Sequence, residues 1–172
     1  MKIKKISNDN QTIYLGVDNG LSGGLAILQG RKVLELMVMP IIVGSNGRNE
    51  YDIPSITKIL EKYQKDSVMI IEKAQAMPKL GTVQAFSFGK LYGIMLGLAC
   101  ALKIPYNIVY SRTWQKEMFR DISFENTKQA SVMIAKRLYP CQSFLATERS
   151  KKAHSGLTDS LLIATYGQRH KM

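Results

Sequence analysis

Apolar residues in this chain form short continuous runs that are separated by turns rich in glycine and polar residues. Three mostly apolar runs near the start, at 12–18, 25–28 and 32–39, predict three strands, and the first of them is rich in β-branched and aromatic residues. Short turns at 19–24 and 29–31 connect them. Because short turns join antiparallel neighbours, the pattern predicts an antiparallel meander.

The rest of the chain alternates between short apolar strands and longer helical patterns. Strands are predicted at 67–72 and 105–110, and the glycine-containing segment 42–52 is predicted to be a loop. Such alternation favours parallel strands with right-handed crossovers. We therefore predict an α/β fold with a mixed five-stranded sheet, in which the first three strands form the antiparallel meander, the last two run parallel, and helices flank both. The predicted helices lie at 54–65, 82–102, 112–119, 127–138 and 157–168.

The length of 172 residues favours a single domain, which we predict to span residues 1–172. A hydrophobic content of 45% excludes a disordered chain. The longest uninterrupted apolar stretch, 94–102, is short of the roughly 20 residues that cross a bilayer, and the first ten residues lack the apolar region of a secretory signal. Cys100 and Cys141 are too few for a disulfide framework or a zinc site. We expect an intracellular protein.

The charge of the chain points to a polyanionic partner. Lys and Arg number 24 against 13 Asp and Glu, which gives a formal net charge of +11. Nucleic acid is the commonest polyanion that a basic soluble domain binds. A membrane surface is a weaker alternative, because no helix pairs a lysine-rich face with an aromatic one. A merely basic surface with no specific partner is the remaining alternative.

Three of the scarce acids lie at the ends of predicted elements. Asp18 and Glu72 end apolar strands, and parallel neighbours would bring both carboxylates to the same edge of the sheet. Asp159 lies in the first turn of the last helix, which could point it at the other two. Each acid alone also suits a plain role: a turn residue, a surface ion pair and a partner of the helix dipole, respectively. We favour a shared site because both strand acids follow strongly apolar runs.

Carboxylates grouped in this way bind hard divalent cations such as Mg²⁺. Two such ions about 3.5–4 Å apart activate a water molecule and stabilise the leaving oxygen of a phosphodiester. A basic surface with an acidic cleft is therefore typical of a nuclease. His154 precedes Asp159 by five residues and would not share its face on a continuous helix. From a preceding loop it could reach a metal or the scissile phosphate; the alternative is a solvent-exposed loop histidine.

Several motifs, in order from about residue 12 to 168, resemble one known family. The opening Ile13–Gly20 with Ser22–Ala26, the acidic strand Val68–Glu72 and the glycine-punctuated Phe88–Gly93 resemble RuvC-type Holliday junction resolvases of the RNase H-like (retroviral integrase) superfamily. Lys151 and Lys152 before His154 make the resemblance closer to phage-borne members. The later motifs are Trp114–Lys116, Thr127–Gln129 and Thr158–Ala164.

The resemblance implies an endonuclease of DNA recombination and repair. It implies metal-dependent nicking of a four-way DNA junction by a homodimer, with Mg²⁺ as cofactor and Mn²⁺ as a substitute, in the cytoplasm of a bacterium or a phage-infected host. The family's metal ligands carry over onto Asp18, Glu72 and Asp159, and Lys128 resembles its lysine near the scissile phosphate. A fourth ligand often lies three residues before the last acid. That position is Gly156 here, and His154 is the candidate substitute.

Basic and aromatic residues around the proposed cleft are candidates for DNA contact. The loop 74–81 could enter a junction, and Phe86 and Phe88 beside it could stack on bases, although core packing is the interpretation that we favour. Contacts to phosphate would fix position without reading sequence. The expected DNA-binding residues are Lys73, Lys79, Lys90, Arg112, Lys116, Lys128, Lys151 and Lys152.

Small residues recur every four positions along the long helix predicted at 82–102. Glycine inside a helix costs up to ~1 kcal/mol relative to alanine, so three of them need an offsetting benefit. A row of small residues lets another backbone approach closely. That backbone belongs either to the sheet or to the same helix of a second subunit, which would match the two-fold symmetry of a junction. The row is Ala85, Gly89, Gly93, Gly97 and Ala101.

Two other functions remain open on the sequence alone. A non-catalytic DNA-binding relative of the same fold is compatible with the missing acid at Gly156, and metal-dependent nicking would distinguish it. An ATPase of the actin and sugar-kinase type is suggested by Gly16–Gly20, which resembles a phosphate-gripping loop. Those enzymes close two domains on ATP, and 172 residues are too few for both.

Overall fold

The computed structural model describes residues 11–75, 81–120 and 122–172. Lys79, one of the expected DNA contacts, lies outside the described residues. The strands are β1 Ile13–Asp18, β2 Gly24–Gln29, β3 Lys32–Val38, β4 Ile41–Val43, β5 Asn49–Tyr51, β6 Ser67–Glu72 and β7 Tyr106–Val109. The helices are α1 Ile53–Lys62, α2 Thr82–Ala101, α3 Ser111–Met118, α4 Thr127–Leu138 and α5 Ser155–Arg169.

Five strands form a mixed sheet in the order β3-β2-β1-β6-β7. β1 pairs antiparallel with β2, and β2 pairs antiparallel with β3. β6 runs parallel to β1 on one side and to β7 on the other, with Val17 opposite Ile71. The predicted meander and the predicted parallel pair are both confirmed, and β1 and β6 are neighbours at the centre.

Helices cover both faces of this sheet, and the pleat decides which strand residues each layer contacts. Tyr14 and Ile70 belong to a core with α3, α4 and α5. Leu15, Val17 and Ile71 belong to a second core with α1 and α2. Because successive side chains of a strand point to opposite faces, even-numbered residues of β1 and β6 face α5.

Helix α5 lies directly against the backbone of β1. A Cβ atom on Gly16 would lie 2.1 Å from the carbonyl oxygen of Ser160 and 2.7 Å from the amide nitrogen of Ala164. No larger residue fits there without moving the helix. Ser160 is fully buried in this contact. The close approach brings Asp159, the residue before Ser160, to the end of β1.

The predicted loop at 42–52 contains a small hairpin instead. β4 and β5 pair antiparallel, and the amide of Gly44 donates to the carbonyl of Arg48 at 2.8 Å. Gly47 adopts a positive φ of 73°, which glycine accommodates without strain. The three residues of β4 are all apolar and all exposed, so the segment shows no alternation of apolar and polar positions that would have indicated a hairpin.

Helix α2 turns its row of small residues away from the sheet. Its buried residues, Leu91, Met95 and Ala99, pack in the core with α1. Nothing described lies within 4 Å of a Cβ built on Gly89, Gly93 or Gly97. The sheet is therefore not the partner of this row. By length and composition α2 could also cross a membrane, which the length of the uninterrupted apolar stretch did not indicate.

Candidate active site

Asp18 and Glu72 lie side by side on the face of the sheet that α5 covers. Val17 and Ile71 are paired in register, so the next residues on the two parallel strands are neighbours. Both acids share the strand parity of Gly16 and Ile70, which face α5. The structure therefore places them at one edge, as predicted, and also on one face of the sheet.

The third acid, Asp159, interacts electrostatically with both strand acids. Burial, followed by the charges of Asp159 and Glu72, raises the pKa of Asp18 well above its usual range. Burial, together with the charge of Glu72, raises the pKa of Asp159 to about 6, while the Ser131 hydroxyl and the charge of Lys128 offset part of the rise. Such perturbed carboxyl groups at one sheet edge are typical of functional sites.

Glu72 is held by two residues of α3 that the sequence did not single out for this role. Its Oε2 atom accepts a hydrogen bond from Nε1 of Trp114 at 2.9 Å, and its Oε1 atom accepts one from the Ser111 hydroxyl. The Asn19 side chain donates to the backbone carbonyl of Glu72. A buried indole N–H needs an acceptor, so the single tryptophan was the available signal.

His154 is the N-cap residue of α5 and is half-buried. Its Nδ1 atom is buried and has no hydrogen-bond partner among the described residues. The same holds for Asp159 Oδ1 and Asn19 Oδ1. Buried polar atoms are normally paired, so three unpartnered atoms around this edge fit a site that binds a polar ligand.

Gly156, at the position of the family's frequent fourth ligand, has no room for a side chain. A Cβ atom there would lie 2.5 Å from the backbone of Gly23 and from the carbonyl oxygen of Ser22. Gly24 is equally close to Gly156 from the other side. The first turn of α5 is therefore packed onto the β1–β2 turn, which excludes a carboxylate at position 156.

We expect the substitution Gly156→Asp to destabilise the protein rather than complete an acidic site. The new side chain must displace backbone, and overpacking of this kind costs roughly 1–3 kcal/mol or more. Urea denaturation would measure the loss. The neighbouring Ser155→Ala, which removes a single hydroxyl group, is the control. A Gly156→Asp variant as stable as the wild type would contradict the packing described here.

The three carboxylates are oxygen donors of the kind that bind a divalent cation, but their described side chains are not close enough together to coordinate one ion. Within residues 11–75, 81–120 and 122–172, no group of three His, Cys, Asp or Glu side chains is arranged closely enough to hold a metal ion. Both oxygens of Glu72 are engaged by α3. Three oxygen-donor acids and the unpartnered Oδ1 of Asp159 nevertheless form the donor set that Mg²⁺ prefers.

Two of the expected DNA-binding residues, Lys73 and Lys128, lie next to this edge of the sheet. Lys128 is exposed in the first turn of α4, and its charge reaches Asp159. Lys73 donates to the Tyr110 hydroxyl at 2.9 Å and lies 4.8 Å from that ring's centroid. The others that are described are exposed: Lys90 on α2, Arg112 and Lys116 on α3, and Lys151 and Lys152 before α5.

The two phenylalanines at the start of α2, Phe86 and Phe88, differ in how far their side chains are exposed. Phe86 is 74% exposed, so the core packing that we favoured from the sequence is wrong for this residue. Phe88 is half-buried and lies against Gly20, where a Cβ atom would be 2.8 Å from its ring. The helix pattern did not separate them because α2 is apolar on all sides, including the exposed one.

Comparison with solved structures identifies the fold. RuvC of Thermus thermophilus in complex with a Holliday junction substrate matches with a TM-score of 0.61 and 13% identity, over 93% of this chain and 94% of that one. Another Thermus thermophilus RuvC structure matches with a TM-score of 0.58 and 12% identity, over 93% and 97%. The yeast mitochondrial Holliday junction resolvase Ydc2 matches with a TM-score of 0.52 and 13% identity, over 93% and 79%.

No family model and no curated protein matches the sequence. The RuvC-type fold is nevertheless shared across almost the whole length of both RuvC chains. The resemblance predicted from the ordered motifs is therefore confirmed at the level of the fold.

Proposed function

We propose that this chain is a metal-dependent endodeoxyribonuclease that nicks four-way DNA junctions. The observation that carries the proposal is the meeting of Asp18, Glu72 and Asp159 at one edge of a RuvC-type fold, with raised pKa values for both aspartates. A net charge of +11 supports an anionic substrate. One of the similar structures is described as RuvC in complex with a Holliday junction substrate.

Asp18, Glu72 and Asp159 would hold Mg²⁺ or Mn²⁺, with His154 as a candidate fourth member. The metal, when bound, supplies charge stabilisation and an activated water for phosphodiester hydrolysis. The chain contributes the geometry of this site. Trp114 and Ser111 orient Glu72, and α5 fixes Asp159 beside the end of β1. Since Gly156 excludes a fourth carboxylate, the chain relies on three acids.

Lys128 would assist at the scissile phosphate. It is exposed at the start of α4, and its charge already acts on Asp159. A lysine placed in this way is open to solvent and close enough to Asp159 to contact a phosphate bound there. The remaining basic residues would hold the DNA backbone.

The experiment that tests the proposal compares a labelled four-way junction with a linear duplex of matching sequence. We expect paired, symmetric nicks in the junction in Mg²⁺ or Mn²⁺, none in EDTA and none in the duplex. Binding of the junction in EDTA without nicking in either metal would instead identify a non-catalytic DNA-binding relative. Equal cutting of both substrates would contradict the selectivity for junctions.

A homodimer formed through α2 is the second part of the proposal. The open row Gly89, Gly93 and Gly97 permits close approach of another helix. Val83 and Phe86 extend the exposed apolar surface towards the N-terminus of the same helix. A second copy of α2 is the simplest apolar partner, and a two-fold dimer would present two sites to a two-fold junction.

We expect Gly93→Leu to convert the dimer into a stable monomer. On a free helix face, replacing glycine would stabilise the helix by up to ~1 kcal/mol, so dissociation would not reflect misfolding. Light scattering gives the mass and thermal denaturation gives the stability. Lys58→Leu, on the exposed side of α1, is the matched control. A monomeric wild type, or flotation of the wild type with lipid vesicles, would overturn this interface.

A further inference from the structure

A cavity of about 340 Å³ opens between α3 and the start of α4. On α3, Ser111 and Trp114 bond Glu72, and on α4, Ser131 and Lys128 act on Asp159. The cavity thus lies between the two helices that contact the acidic residues. The residues lining it are Arg112, Gln115, Lys116, Phe119, Phe124 and Thr127.

The lining has the helical spacing of one face of α3. Arg112, Gln115 and Lys116 follow at i, i+3 and i+4, and Phe119 continues the row at i+7. Ser111 and Trp114, which bond Glu72, each lie directly before a residue that lines the cavity. Ser111 precedes Arg112, and Trp114 precedes Gln115. The face that forms the cavity therefore adjoins the face that forms the active site.

Aromatic rings connect the cavity with Glu72. Phe124 is 40% exposed, and its ring centroid lies 5.6 Å from that of Phe119 in an edge-to-face contact. Phe119 is 6% exposed and makes a similar contact, also at 5.6 Å, with Trp114. Trp114 in turn donates to Glu72. Phe124 is thus the outermost of three packed rings and the one available for stacking.

The polar groups of the cavity complement a nucleotide. Across the part of the chain that the structure describes, neither Arg112 nor Lys116 makes an ion pair or a side-chain hydrogen bond, and both are exposed. Two unpaired cations beside an exposed ring match a phosphate next to an aromatic base. Gln115 adds an amide that can donate to and accept from the edge of a base.

We propose that this cavity holds one unstacked nucleobase of the DNA strand that is cut, stacked on Phe124, with an adjacent phosphate bound by Arg112 and Lys116. The inference rests on the proposed nuclease function and deepens it. Capture of a base outside the duplex is easiest near a branch point, where stacking is already interrupted. The cavity would therefore fix the substrate strand relative to the acids.

The test combines Phe124→Ala with single abasic sites placed at each nucleotide flanking the cut, with junction affinity measured in EDTA. We expect Phe124→Ala to bind roughly tenfold more weakly, which is the scale of losing one stacked base. At one position, an abasic site should weaken binding of the wild type by the same factor. Phe124→Ala should then bind the junction that carries this abasic site no more weakly than it binds the intact junction. Phe124→Trp should restore affinity.

Met133→Ala, which truncates a 46% exposed apolar side chain on α4, is the matched control and should bind as the wild type does. Equal thermal midpoints show that Phe124→Ala is folded. The proposal would be overturned if Phe124→Ala bound the junction as tightly as the wild type does. It would also be overturned if the loss of affinity from Phe124→Ala added to the loss from the abasic site at every position. A third contradicting result would be a Phe124→Ala variant that no longer binds a deoxynucleoside monophosphate but binds the junction normally. That result would identify a site for free nucleotides. Failure of the nuclease function would appear separately, as absence of nicking by the wild type.

Discussion

Asp18→Asn is expected to abolish junction cleavage while it stabilises the fold. The substitution removes an oxygen ligand from the proposed metal site, and metal-assisted charge stabilisation is worth several kcal/mol, so cleavage should fall by about 10³-fold or more. Burial and two neighbouring acids raise the pKa of Asp18, so its charged form is disfavoured in the fold. A neutral amide of the same size removes that repulsion.

Cleavage of the four-way junction in Mg²⁺ measures the first effect, and the thermal midpoint in EDTA at pH 7.5 measures the second. Junction binding in EDTA should be equal to that of the wild type or tighter, because a negative charge is lost. Glu61→Gln, at an exposed acid on α1, is the control and should change neither quantity. Retained cleavage would remove Asp18 from the site, and a large loss of stability would assign it a structural role.

The stability of the metal-free protein should decrease with rising pH because of Asp159. Its pKa is about 6 in the fold against the ordinary 3.8, so between these values the unfolded chain releases a proton that the folded chain retains. The bound proton makes its whole contribution to the free energy of unfolding below pH 3.8. This contribution is lost as the pH rises through about 6. The difference of about 2 pKa units corresponds to about 3 kcal/mol.

Urea denaturation of wild type and Asp159→Asn in EDTA, from pH 4 to 7.5, isolates this contribution. The stability of the variant relative to the wild type should rise by about 2 kcal/mol across that range, because part of the full contribution of about 3 kcal/mol is already lost at pH 4. Added Mg²⁺ should stabilise the wild type at pH 7.5 far more than at pH 5, since the cation must replace protons.

Glu35→Gln provides a control of opposite sign. Hydrogen bonds from Lys62 and Tyr63 lower the pKa of Glu35, so its contribution is present above the unfolded pKa and is lost on acidification. If the stabilities of Asp159→Asn and Glu35→Gln, each relative to the wild type, changed with pH in the same direction, the net charge of the protein and not the acidic site would govern the pH dependence.

Much of the site followed from local pattern. The apolar runs that end in Asp18 and Glu72 predicted two central strands, and parallel pairing, which the register confirms, predicted both acids at one edge of the sheet. Asp159 followed from its place near the start of a helix that is apolar enough to be buried, although α5 begins earlier than predicted, at Ser155, so the predicted first-turn position of Asp159 is wrong and the residue lies in the second turn. These inferences held because burial of apolar residues imposes a periodicity that can be counted along the chain.

The contacts that tune the site could not be predicted in this way. Ser111 and Trp114 reach Glu72 across about forty residues of chain, and the order of elements does not specify which donor meets which oxygen. The exposure of the α2 glycines and of Phe86 also escaped the pattern, since an evenly apolar helix does not show which side faces the sheet.

By itself, the sequence determined the five strands of the main sheet and the helices that follow them, the edge at which three acids meet and a basic surface suited to nucleic acid, but not the β4–β5 hairpin. Tertiary structure decided the rest: that Gly156 leaves no room for a fourth acid at its position, that the glycine row of α2 is open, and that a cavity adjoins the candidate active site. The physical reason is the range of the forces involved. Hydrophobic periodicity is local, whereas close packing and hydrogen bonding depend on approaches of a few tenths of an ångström between distant segments.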